Sequence, residues 1–387
     1  MKVLTLRKSM VWGITAALFG MGTSSAMEQG DPVLEAYASS YDLSYEEARD
    51  RLAMINPVEM DLLEKQLSAL PGYVGMRIVH KPELRIQVFA DGNATQLAAK
   101  ARTRVPIEPV NVPRSIAQLE QEATAVSAVL RSRKIGHMYY FDLPAGRIEF
   151  HIEAKTTADR ELLNSLSSKS AGIRITYVGS VMEETANFVG GQNVNGSQSC
   201  TSGFTVYRIS NPAVRGVITA GHCTDSNQSS VVVNGVNFSN PQNRMYLGNY
   251  DQMWFTQAGH TWTNTIATGQ SEPATIQINA TASPQVGLFL CKFGQTTLQT
   301  CGEVIQTYAQ VYNPDNNSTG SWILVKNILL GPMTMAGDSG GPVFGSGGVA
   351  LGIVIGRGGQ GSPNIDNMFF APVSRFGAIN VSILTTN

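Results

Sequence analysis

Charge divides this chain in two. Of its 28 basic and 29 acidic side chains, only 7 of each lie from Ala186 onward, leaving 21 and 22 in the first 185 residues. The two parts are of similar length, so the second has far fewer groups that demand water. It is the part able to bury a large core. A chain of 387 residues has room for two or three domains. Opposite charges nearly cancel overall, so no net field points to nucleic acid.

The charged part carries helical signals. "LSYEEARDRLAMI" opens with Ser44 and places Glu47 three residues on, a capping-box spacing; "SIAQLEQEATAVSAVL" repeats it with Ser115 and Gln118. In the second segment Ile116, Leu119, Ala123, Val126 and Leu130 form one apolar stripe. "RIEFHIEA" alternates Ile148, Phe150 and Ile152 with Glu149, His151 and Glu153, which predicts a half-buried strand. The expectation is an α+β unit without chemistry of its own, with His80, His137 and His151 as structural or surface residues.

The charge-poor part is all-β in pattern. Short runs of Val, Ile, Thr and aromatics alternate with Gly, Asn and Ser. "SVVVNGVNF" predicts a hairpin turning at Asn234-Gly235, and "GVALGIVIG" and "SWILVKNIL" predict further strands. Many short strands at close spacing argue for a sandwich or barrel.

The N-terminus has the layout of an export signal: basic Lys2, Arg7 and Lys8, an apolar stretch from Val11 to Met21, and small residues Ser24-Ser25-Ala26 for cleavage after Ala26. Secretion is therefore expected, extracellular rather than periplasmic, without a membrane-spanning segment. Cys200, Cys223, Cys291 and Cys301 all lie in the charge-poor part, and four cysteines allow three pairings. No CxxC pair occurs, and His222 and His260 are the histidines of that half, so no metal site is expected.

Three short stretches carry chemistry. "ITAGHC" puts His222 directly after an apolar strand, a candidate base. "LGNYDQMWF" puts Asp251 at the edge of one, where a carboxylate needs a partner. "MAGDSGGPVF" centres on Ser339, a poor nucleophile until a base takes its proton. A carboxylate that orients the histidine completes that logic. The glycines fit it as well: Gly337 can adopt dihedrals denied to other residues, and the N–H groups of Gly337 and Ser339 can converge on an oxyanion. Singly, each stretch could be a strand end or a flexible turn; in one β-rich half, in the order His, Asp, Ser, they predict acyl transfer.

With these residues in view, "TAGHC" and "GDSGGPV" resemble the chymotrypsin-fold serine peptidases, specifically the bacterial branch of α-lytic protease and the streptogrisins. "ANFVGG" at 186–191, "LCKFGQTTLQTCGEV" at 290–304 and "FFAPV" at 369–373 are similar to segments of that branch. The resemblance implies two six-stranded antiparallel barrels with the site between them, preceded by an α+β pro-domain. It implies His222 as base, Asp251 as orienting carboxylate, Ser339 as nucleophile, and Gly337 and Ser339 as oxyanion hole. It also implies disulfides Cys200–Cys223 and Cys291–Cys301, and no cofactor. Residues 1–26 would be the signal peptide, 27–185 a pro-region that assists folding and inhibits, and 186–387 the peptidase, released by cutting Thr185–Ala186. The partners implied are polypeptide substrates and the chain's own pro-region, not nucleic acid or membrane, with a monomer after maturation.

One further expectation concerns Asp338, a carboxylate beside the oxyanion loop that needs a partner if buried. In this branch a basic residue follows the first cysteine of the second disulfide, which here is Lys292. Two departures stand out. No cysteine precedes the glycine loop, where relatives have a third disulfide, and Ile355 takes the place of a serine that bonds the triad aspartate. Thr334, Val354 and Ile355 are expected to line a pocket for small or medium apolar side chains, with Arg357 near enough to meet substrate. A catalytically inactive, protease-like binding module is the competing reading. An esterase of the α/β-hydrolase type is disfavoured because His222 precedes Ser339 and no helical crossovers occur.

Overall fold

The structure is a computed structural model. It describes residues 31–386 except 154–155, 157–171, 185–192, 196–198, 225–229, 234–235, 239, 258, 268–274, 314–316, 329–330 and 360–365. The signal segment, the Thr185–Ala186 bond, the "ANFVGG" stretch and the Asn234-Gly235 turn lie outside the described residues. Residues 31–387 form one compact unit.

Helices of the charged part begin where their caps dictate. Asp31, Ser44 and Asn56 accept backbone N–H groups at the starts of Pro32–Tyr41, Tyr45–Met54 and Pro57–Ser68, two of which open on proline. Proline is preorganised for that position and has no N–H to lose there. The helix Ile116–Ser132 carries the full capping box, with Ser115 and Gln118 bonding each other's backbone. Its stripe of Leu119, Ala123, Val126 and Leu130 packs on Ile148, Phe150 and Ile152. Each large apolar side chain buried in this way contributes about 1.5–3 kcal/mol.

The strand Arg147–Ile152 departs from the expectation of a half-buried strand. Glu149 and His151 are 7% and 3% exposed, so both faces are covered. One face lies under the helix. The other lines a cavity of about 390 Å³ whose walls include Tyr140, Arg174 and, from the charge-poor part, Gln306. Glu149 tolerates this because Arg147 Nε donates to its Oε1 at 2.6 Å.

The two parts share a sheet. Strands His137–Asp142, Arg147–Ile152 and Ile173–Tyr177 continue the charge-poor part through antiparallel pairing of His137–Asp142 with Leu298–Asn313, registered at Gln310↔Tyr139. Leu298–Asn313 also belongs to a closed six-stranded antiparallel barrel. Its order is Phe289–Gly294, Pro342–Gly345, Val349–Arg357, Met368–Pro372, Ser318–Asn327, Leu298–Asn313 and back to the first.

The other half of the all-β domain is split among the described residues. A five-stranded sheet holds Asn211–Thr219 and Tyr250–Thr256, and a four-stranded sheet holds Val231–Val233 and Ser199–Thr201. They enclose one apolar cluster that includes Val194, Val217, Val231, Phe238 and Phe255. Val231–Val233 and Val236–Phe238 pair antiparallel, with Val233 opposite Val236. The result is the expected chymotrypsin-like all-β domain preceded by a helix-containing region.

Candidate active site

The strand Asn211–Thr219 runs out of the apolar cluster into a single 3-10 turn, Gly221–Cys223, which holds His222 with 4% of its surface exposed. Cys223 is joined to Cys200, so the turn is tied to the strand Ser199–Thr201. The antiparallel neighbour Tyr250–Thr256, registered at Thr219↔Met253, carries Asp251 beneath the turn. Asp251 Oδ2 lies 2.6 Å from His222 Nδ1, and Asp251 Oδ1 accepts the His222 backbone N–H at 2.8 Å. A carboxylate only accepts, so Nδ1 carries the proton and proton exchange falls to Nε2.

The glycine loop is seated against the same turn. Gly337 has φ 110° and Gly340 φ 85°, in the region that favours glycine. A Cβ on Gly340 would come within 2.1 Å of Thr219 Oγ1 and 2.2 Å of the Thr201 carbonyl. Thr201 straps the loop down: its N–H donates to Ser339 O at 2.8 Å and its hydroxyl to Gly337 O at 2.7 Å. Thr219 Oγ1 in turn donates to Thr201 O at 2.7 Å. The N–H groups of Asp338, Gly340 and Gly341 are spent on the carbonyls of Met335, Val354 and Asp338. Ser339 therefore sits in a loop fixed to the strand that leads to His222. Ser339 is wholly buried in this chain, and its carbonyl lies 3.9 Å from Sγ of Cys223, the neighbour of His222.

Asp338 lies in a polar socket. Lys292 Nζ is 3.1 Å from its Oδ2, and both side chains are fully buried. Thr296 N–H, Thr297 N–H, the Thr297 hydroxyl, the Thr334 hydroxyl and Met335 N–H also donate to the carboxylate, at 2.6–3.2 Å. Lys292 adds Leu298 O at 2.9 Å and Thr297 Oγ1. Burial pushes the Lys292 ammonium down to about 8, against the pull of Asp338. The Cys291–Cys301 disulfide closes the hairpin that supplies Lys292, Thr296 and Thr297. Thr334, expected to line a pocket, is thus part of this socket. Val354 and Ile355 are fully buried in the wall of the barrel.

Thr201, Thr296 and Thr297 were not anticipated. A weak signal existed for the latter two: polar residues beside Lys292, between two cysteines separated by 10 positions. Also unanticipated was the strand that runs along Val349–Arg357. One edge of that strand is taken by Met368–Pro372 from Gly352↔Pro372 to Arg357↔Met368. The other edge is taken by Pro342–Gly345 only as far as Ile353, and then by the glycine loop at Val354. Beyond that, Glu183-Glu184 pair antiparallel with it, at Gly356↔Glu184 and Arg357↔Glu183. The charged part thus ends as an added strand beside the glycine loop.

Sγ of Cys200 and Cys223 lie within 4.8 Å of a His222 nitrogen. The two sulfurs are bonded to each other and offer no thiolate to a metal.

Residues 188–379 match the family model described as Trypsin. Serine protease 1 of Rarobacter faecitabidus is 24% identical over 333 residues, which is 84% of this chain and 59% of that protein. Streptogrisin-A of Streptomyces griseus is 27% identical over 267 residues, 64% of this chain and 77% of that protein. The chain thus spans less than two thirds of the length of the first of these relatives. Among solved structures, Protease A of Thermobifida fusca is 22% identical with a TM-score of 0.42, over 52% of this chain and all of the other.

Proposed function

From the match of residues 188–379 to the trypsin family model, we propose that the chain is the precursor of a secreted serine endopeptidase. One observation carries the reading: a buried imidazole held through Nδ1 by a buried carboxylate at 2.6 Å, on a turn that the Cys200–Cys223 disulfide ties to the strand whose Thr201 holds the Ser339 loop. His222 takes the Ser339 proton as the hydroxyl attacks a peptide carbonyl, then returns it to the leaving amine, and water resolves the acyl-enzyme. Asp251 fixes the tautomer and stabilises the imidazolium. The N–H groups of Gly337 and Ser339 receive the oxyanion, in a loop shaped by the Lys292–Asp338 socket. Each such donor is worth about 3–4 kcal/mol in the transition state.

Residues 27–185 act as a pro-region. The pairing of Glu183-Glu184 with Gly356 and Arg357 supports this, because a strand added beside the glycine loop occupies the track a substrate would use. Thr185 then precedes the bond to be cut, which agrees with a pocket for small or medium apolar side chains. The shared sheet between the two parts gives the pro-region a template role in folding the barrel.

The test is fluorophosphonate labelling of the exported products of wild type and Ser339→Ala, with N-terminal sequencing of each band. A labelled band starting at Ala186 in wild type, with no label and no cut in the variant, supports a self-maturing peptidase. Cleavage of both chains without labelling of either would turn the reading into a binding module.

A further inference from the structure

Arg357 is out of character with its strand. Every other residue of "VALGIVIGR" is apolar or glycine, and Arg357 is one of only 7 basic residues from Ala186 onward. It stands at the end of the strand, and the chain's own Glu183 is registered directly opposite it. Residues directly opposite in an antiparallel pair share a face of the sheet, and opposite charges there attract while like charges repel. If Thr185 precedes the scissile bond, Glu183 is the third residue upstream of it. The position opposite Arg357 is therefore a subsite, and the residue the chain itself offers there is acidic.

We propose that Arg357 selects an acidic residue at the third position upstream of the scissile bond, an inference that rests on the peptidase reading above. Arg357 acts as a specificity-determining residue: its guanidinium recognises a carboxylate along the extended track, separately from the apolar preference at the first position. A guanidinium suits this role because its planar donors fork onto a carboxylate.

The test uses matured enzyme, with active sites titrated by fluorophosphonate. The substrates are quenched peptides with Thr before the scissile bond and Glu, Gln or Lys two residues further upstream. The expected kcat/KM for Glu over Gln is about two- to five-fold, with Lys below Gln, and the ratio falls toward one in 1 M NaCl. Arg357→Ala should level Glu and Gln, and Arg357→Glu should place Lys first. Should the variants mature poorly, Glu183→Lys combined with Arg357→Glu should restore the self-cut. Equal hydrolysis of all three peptides by labelled wild type overturns the proposal and leaves the peptidase reading standing. So does an acidic preference that appears only at the first position. No label and no hydrolysis would remove both.

Discussion

The charged region before residue 185 and the barrel region after it bury their histidines in opposite company. His80 lies between the Tyr37 hydroxyl at 2.8 Å and the Gly287 carbonyl at 2.6 Å. His137 lies between the Ser127 hydroxyl at 2.7 Å and the Ile135 carbonyl at 2.8 Å. With neutral partners, burial pushes both down to about 4, helped by the nearby Arg51 and Arg131, and burial does the same to His151. These rings are neutral hydrogen-bonding joints. In the barrel region, His222 meets the Asp251 carboxylate instead, and Lys292 meets Asp338. The first region buries its histidines beside neutral groups; the other buries His222 and Lys292 each beside a carboxylate, the arrangement proton transfer needs.

The sharpest way to break this contrast is to give His222 neutral company. Asp251→Asn should lower kcat by about four orders of magnitude, the usual cost of losing the orienting carboxylate in such a triad. Burst titration checks that the enzyme is folded. An effect below ten-fold would mean that Asp251 is not the orienting group.

Removing one member of the other pair comes next. Lys292→Met should cost about 3–5 kcal/mol, because it leaves the Asp338 carboxylate buried without its counter-charge. Urea unfolding of the matured domain measures this. Unchanged stability and activity would show that the five neighbouring donors suffice alone.

Acid tests the neutral side. The histidines of the charged region have a usual value of 6.5 and about 4 in the fold, so the unfolded chain binds more protons between those values. Stability from their neutral burial is complete above pH 6.5 and is lost as pH falls through 4, by up to about 3 kcal/mol per histidine. In full-length Ser339→Ala, amide exchange should show strands 73–90 and 137–152 losing protection between pH 6 and 4 before the barrel strands do. Simultaneous loss would place the acid-sensitive groups elsewhere.

The smallest effect belongs to a group outside both kinds of burial. Ser115→Ala removes the cap of Ile116–Ser132 and should cost about 1 kcal/mol in the charged region without pH dependence.

The short motifs were legible because their cause is local. "GDSGG" needs glycine at 337 and 340 for positive φ, and the Ser44 and Ser115 caps satisfy N–H groups three residues away. Distant partners were harder to read. The alternation of "RIEFHIEA" predicted a wet face, but the neighbouring Gln306 and Val286 help to cover it. Thr334 reads as a pocket residue, but the turn that follows brings Asp338 within its reach, and the distant hairpin adds Thr296 and Thr297 to the same carboxylate.

From the sequence alone came the division by charge, the α+β character of the first part, the all-β character of the second, and the residues His222, Asp251 and Ser339. All of these follow from side-chain chemistry and from periodicity within a few residues. Tertiary structure alone decided which threonines serve Asp338, that the histidines of the first region are dry, and that Glu183 is registered on Arg357. Those outcomes depend on strands far apart in the chain choosing each other's edges. A strand's edge is backbone, which is the same in every residue and leaves little mark on the sequence.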